Sequence, residues 1–201
     1  MTDSQPINGR ASDPLEALRS DQYRFLARML SSAPDQALLD HVSQLQGDKS
    51  PLGCAFTALA LGAKAADAAR VEREFFELFI GVGRGELLPY ASFYQTGFLN
   101  ERPLAVLRDD LSRLGVARAN GRHEPEDHIA LLMDVMADMI SGDVVASADI
   151  QRAFFNRHIA PWAAQFFHDL AIAPSADFYR PLAEIGRLLT DIEARAFALA
   201  A

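Results

Sequence analysis

Six consecutive residues, His123-Glu124-Pro125-Glu126-Asp127-His128, gather the side chains that chemistry most often recruits: two imidazoles and three carboxylates. Three uses are open to them. Imidazole nitrogens and carboxylate oxygens can hold a divalent metal. Carboxylates can accept paired hydrogen bonds from an arginine of a partner. The stretch can also simply start a helix, with Pro125 at its first position and Glu126 and Asp127 in its first turn, facing the positive end of the helix dipole. Such a start suits guanidinium and repels phosphate. Asp127 and His128 are adjacent, so on a helix they diverge by about 100° and need not share one ligand.

Other catalytic templates fail. Gly47-Asp48-Lys49-Ser50 ends like a phosphate-binding loop, but Asp48 stands where that loop needs glycine. Gly81, Gly83 and Gly85 follow a helical pattern rather than a strand and lack the third glycine of a dinucleotide fold. No serine sits in a Gly-x-Ser-x-Gly elbow. A helical di-iron site needs Glu three residues before His. The residues found three before His41, His123, His128, His158 and His168 are Leu38, Asn120, Pro125, Phe155 and Gln165. A metal- or nucleotide-dependent hydrolase built on His123–His128 therefore stands only as the alternative function, without a phosphate loop or a complete ligand spacing. Pro89-Tyr90-Ala91-Ser92-Phe93-Tyr94 has two readings: a lid on the core, or an apolar groove with tyrosine hydroxyls at its rim.

Elements must position these groups, and the periodicity is helical nearly throughout. Leu15, Leu18, Tyr23, Leu26, Met29 and Leu30 share one helix stopped near Pro34. Leu38 to Leu45, an Ala-rich stretch over Leu52–Ala69, and Val71 to Phe79 ending at Gly81 follow. Leu104, Leu107, Leu111 and Leu114 form a stripe closed by Gly115. Ile129, Leu132, Met133, Met136 and Ile140 form another. Phe155, Ile159, Trp162, Phe166 and Leu170 continue, interrupted at Pro161. A last helix from about Asp177 is expected to bury Phe178, Leu182, Ile185, Leu188, Leu189 and Ile192. These spacings predict an all-α fold: one globular domain of roughly eight to ten helices over residues 14–201. Residues 1–13 read as a flexible N-terminal segment, and the small polar stretch within 117–124 as a hinge.

The 201 residues are 50% hydrophobic, enough for a substantial core. With 19 basic against 27 acidic side chains the formal charge is −8, which argues against nucleic acid and favours cationic partners. Cys54, the single cysteine, allows no internal disulfide and no cysteine-based metal site, and its apolar neighbours predict burial. The polar N-terminus lacks the pattern of an export signal, and no apolar run approaches ~18 residues, so membrane insertion is not expected and a cytoplasmic location is.

Three segments together resemble one family, the twin-arginine redox-enzyme maturation chaperones of the TorD/DmsD-like group. They are Phe75-Phe76-Glu77-Leu78-Phe79-Ile80-Gly81 with Pro89–Tyr94, then Glu124-Pro125-Glu126-Asp127-His128, then His158-Ile159-Ala160-Pro161-Trp162 with Phe178-Tyr179-Arg180-Pro181-Leu182. The resemblance spans roughly residues 15–195. It implies a helical, non-enzymatic protein of the cytoplasm with no cofactor of its own. Such a protein binds the twin-arginine signal peptide and apo form of a molybdenum-cofactor oxidoreductase (dimethyl sulfoxide reductase, trimethylamine N-oxide reductase or formate dehydrogenase type) and assists its maturation before export. It further implies peptide binding by Phe75, Leu78, Phe79, Pro89 and Tyr90 and by the pair Asp127 and His128; the residues themselves add Tyr94 to the apolar surface and Glu124 and Glu126 to the carboxylates expected beside the arginines. Some relatives carry Trp at the position of Phe75, a departure that alters pocket shape and client choice. The resemblance is compatible with a monomer or a domain-swapped homodimer.

Overall fold

The computed structural model describes residues 13–117 and 124–199. Short polar side chains start five of the described α-helices. Asp13, Asp35, Ser50, Asp67 and Ser147 each accept a backbone N–H from the turn they precede, satisfying amides that a helix cannot pair internally. The helices are α1 (Pro14–Ser31), α2 (Gln36–Val42), α3 (Pro51–Ala65), α4 (Ala68–Phe75), α5 (Ala91–Thr96), α6 (Arg102–Arg113), α7 (Ile129–Ser141), α8 (Ala148–Phe154), α9 (Ala163–Ile172) and α10 (Tyr179–Leu199). π-turns at Phe76–Ile80 and Phe155–Ile159 extend α4 and α8. Among the described residues there is no strand, only one antiparallel bridge, between Tyr90 and His128. The all-α expectation holds.

α7 lies at the centre, with Ile129, Leu132, Met133, Met136 and Ala137 all buried, as a helix apolar on most of its circumference must be. α1 packs along it, while α10 packs on α9 and α3. One charged cluster ties α1 to α10: Arg19 donates from Nε and Nη2 to Glu193 at 2.7 and 2.6 Å, and the Tyr23 hydroxyl donates to the same carboxylate at 3.1 Å. Pairing of this kind is what makes a buried glutamate tolerable.

The chain departs from expectation in several places. Cys54 is exposed, because it lies on the solvent side of α3 while Gly53, Ala55 and Leu59 face inward. Ile192 is 47% exposed, and Leu15 and Leu18 are exposed too, all three lining an open cleft beside the Arg19–Glu193 contact. Pro161 does separate α9 from the preceding π-turn. Pro125 does not open a helix; α7 begins four residues later, at Ile129. The expected N-terminal segment and the hinge fall almost wholly in residues 1–12 and 118–123, outside the described residues. No single helix among the described residues is long and apolar enough to cross a membrane.

Candidate functional site

The two sequence segments that carry the aromatic and acidic groups are joined through their backbones. The chain leaves the Phe76–Ile80 π-turn at Gly81, whose φ of +61° favours glycine. It then folds back along that turn: Glu86 N–H donates to Glu77 O at 3.0 Å and Leu87 N–H to Leu78 O at 2.8 Å. Gly85 permits this approach, for a Cβ there would lie 2.5 Å from the Phe79 carbonyl carbon. Pro89-Tyr90-Ala91 next runs antiparallel to Asp127-His128-Ile129. Ile129 N–H donates to Pro89 O at 2.8 Å, and Ala91 N–H to Asp127 O at 3.0 Å.

Side chains reinforce the junction. Asp127 Oδ2 accepts the Ser92 N–H at 2.8 Å and so caps α5 from outside that helix. His128 is the N-cap of α7, its Nδ1 accepting the Ala130 N–H at 3.1 Å. That bond requires an unprotonated Nδ1, and burial supplies the condition by pushing the imidazole pKa down to about 4, against the opposing charges of Glu124 and Asp127. The Tyr90 ring meets the His128 ring edge-on at 5.2 Å, and its hydroxyl donates to Glu124. Burial and that glutamate push the phenol pKa up.

The expected site residues fall into three groups. Phe75, Leu78 and Phe79 belong to one cluster with Tyr179; Phe79 contacts the Tyr179 ring at 5.6 Å. Leu78 is 0% exposed and Phe75 nearly buried, so of this trio Phe79 is the one with appreciable exposed surface. Tyr94 stands apart against Trp162 and Phe166, donating its hydroxyl to Asp169 at 3.1 Å. Pro89, Tyr90, Glu124, Glu126, Asp127 and His128 form the junction itself. Within it Asp127 is 0% exposed, Pro89 and His128 are buried, and Tyr90, Glu124 and Glu126 reach solvent. Asp127 Oδ1 and Ser92 Oγ are shut off from solvent with no hydrogen-bond partner among the described residues.

Beside the junction, α1, α6 and α7 enclose a groove of about 640 Å³ that includes Glu124 and Glu126 in its wall. Leu111, Val116, Leu131 and Val135 give it an apolar floor, and Asp134 and Asp138 continue the acidic rim. Two guanidiniums share that rim: Arg108 donates to Glu126 from Nη2 at 2.8 Å, and Arg24 pairs with Asp138 at 2.9 Å. Reading the sequence missed this floor. Its signal was apolar excess, since Leu131 lies beside Leu132 and cannot share its face of α7. Also missed was the outer face of the Phe76–Ile80 turn, where Phe76, Ile80 and the following Val82 are exposed. Among the described residues no group of three or more His, Cys, Asp or Glu side chains is arranged to hold a metal ion.

Residues 45–168 match the family model described as nitrate reductase delta subunit. The chain is 26% identical over 170 residues to the chaperone protein TorD of Aliivibrio fischeri, covering 77% of this chain and 72% of that one. It is 32% identical over 102 residues to the TorD chaperone of Vibrio cholerae O395, covering 46% of each. A crystal structure of a redox enzyme maturation protein from Archaeoglobus fulgidus, so described with its function unproven, shares the fold with a TM-score of 0.60 at 18% identity, over 94% of this chain and 99% of that one. The helical architecture and the match over residues 45–168 place the chain in the nitrate reductase delta subunit family, to which the TorD chaperones belong.

Proposed function

We propose that this protein is a cytoplasmic maturation chaperone that binds the twin-arginine signal peptide of a molybdenum-cofactor oxidoreductase and retains the apo-enzyme until it is ready for export. The observation that carries this reading is the groove: an apolar floor along α6 and α7 with carboxylates at its rim. A twin-arginine signal has two adjacent arginines followed by an apolar stretch, and the groove complements both. Magnitudes divide the work. An exposed ion pair contributes about 0–1 kcal/mol. Burying three or four Leu- or Phe-sized side chains supplies roughly 5–10 kcal/mol, from which ordering the peptide removes about 2–5. The floor therefore carries affinity and the rim carries selection. In this reading Glu124 and Glu126, in the groove wall, meet the arginines, with Tyr90 beside them on Glu124, while Asp127 and His128 hold the junction that carries them.

The test is binding of a fluorescent twin-arginine peptide, followed by anisotropy. Leu131→Ser, at a half-buried floor position, is expected to weaken binding by roughly tenfold or more. Raising salt is expected to weaken it only a few-fold. Replacing the arginines by lysines is expected to cost affinity through loss of paired hydrogen bonds. Failure of the wild-type protein to bind, or abolition by salt with Leu131→Ser unaffected, overturns the proposal. Circular dichroism of the variant separates lost contact from lost helix.

A further inference from the structure

We propose that the crevice between the end of α5, the start of α6 and the Phe155–Ile159 π-turn is a second binding site, distinct from the α1–α6–α7 groove, that takes a carboxylate carried on a short alkyl stem. The crevice holds about 270 Å³, which admits a group the size of one side chain. Arg102, Arg157 and His158 line it and no carboxylate does, in a chain whose formal charge is −8. Gln95 and Thr96 add polar atoms, and Val106 and Leu107 supply an apolar wall for the stem.

Both guanidiniums have donors to spare, and Arg157 is held in place. Arg102 has no ion-pair partner among the described residues. Arg157 spends one N–H on Asp110 Oδ2, at 2.9 Å, leaving donors of its five to reach a ligand. The same oxygen lies 2.9 Å from His158 Nε2, so one carboxylate outside the crevice lining fixes both basic groups. His158 is anchored further by its ring against Phe154 at 4.9 Å, and its carbonyl accepts the Trp162 Nε1–H at 2.7 Å. Arg102 and Pro103 bring the first turn of α6 to the opening, where the helix dipole also favours negative charge. Two guanidiniums with spare donors are the arrangement that carboxylates select. The assignment gives the His158–Trp162 segment a role that the signal-peptide reading leaves unfilled, and it does not depend on that reading.

Trp162 is the only tryptophan and hydrogen-bonds to His158, so its fluorescence reports on the crevice. Sodium glutarate, titrated into the full chain, is expected to give a saturable change that sodium chloride at equal ionic strength does not. Arg102→Gln, at an exposed helix start, is expected to weaken the response about tenfold, with Arg102→Lys intermediate. N-acetylglutamate methylamide distinguishes the source: a response equal to glutarate points to an acidic side chain of a polypeptide, a response to glutarate alone to a free dicarboxylate. A non-saturable change, a change matched by chloride, or an Arg102→Gln curve identical to wild type overturns the assignment.

Discussion

Glu74 on α4 and Asp127 in the turn before α7 are both carboxylates shut away from solvent, and each reaches the first amides of a helix to which it does not belong. Glu74 accepts from Asp177, Phe178 and Tyr179 N–H at 2.8, 3.1 and 2.8 Å, using both oxygens to start α10. Asp127 accepts one backbone amide, from Ser92, and its Oδ1 has no partner among the described residues. The first carboxylate is saturated and lies under a junction whose business is holding α4 to α10. The second keeps unused hydrogen-bonding capacity beneath the turn that carries Glu124 and Glu126. Buried polar groups are ordinarily paired, so the contrast sets a fully used carboxylate against one whose second oxygen has no partner among the described residues.

Breaking the saturated side is expected to have the largest effect. Glu74→Ala leaves three amides at the start of α10 without their acceptor and should destabilise the fold by roughly 3–5 kcal/mol in urea denaturation. A loss under about 1 kcal/mol would show that Glu74 is no more committed than Asp127.

The Asp127 side is expected to respond to pH through His128. Its folded pKa of about 4 lies below the ordinary 6.5, so the unfolded chain binds the proton more readily. Its contribution is complete above pH 6.5 and is lost as pH falls towards 4. At pH 5 the loss is about 2 kcal/mol relative to neutral pH. His128→Asn keeps a capping acceptor without the titration, and its stability curve should lack that part of the acid slope. Parallel curves for variant and wild type would remove His128 from the account.

The smallest effects sharpen the contrast most. Asp127→Asn retains an acceptor for Ser92 N–H and adds donors for atoms that now have none, so its cost should stay below about 1 kcal/mol. Ser92→Ala removes a buried hydroxyl that has no partner among the described residues and should be within about 0.5 kcal/mol of neutral. A large loss in either variant, measured by the same denaturation, would mean that the capacity at this junction is in use.

Much of the fold was legible along the chain. Leu104, Leu107 and Leu111, or Ile129, Leu132, Met133 and Met136, recur at helical spacing and are buried as that spacing requires. Proline breaks are local too, which is why the stop near Pro34 and the interruption at Pro161 could be read in advance. The site was legible only in part. Periodicity assigned Phe75, Leu78 and Phe79 to one face but could not say that this face meets Tyr179 and the core, leaving Phe76 and Ile80 outside. Asp127 and His128 read as first-turn residues of a helix; the bridge to Pro89–Ala91, some 35 positions away, delays the helix and turns Asp127 inward.

By itself the sequence determined the helices, the core stripes and the acidic balance, because these follow from neighbours within a turn or from simple addition of charge. Which carboxylates are sealed and which face the groove was decided only by the tertiary structure. That choice depends on backbone bonds between distant segments, and the desolvation of a charged group is set by what packs over it in space rather than by what flanks it in sequence.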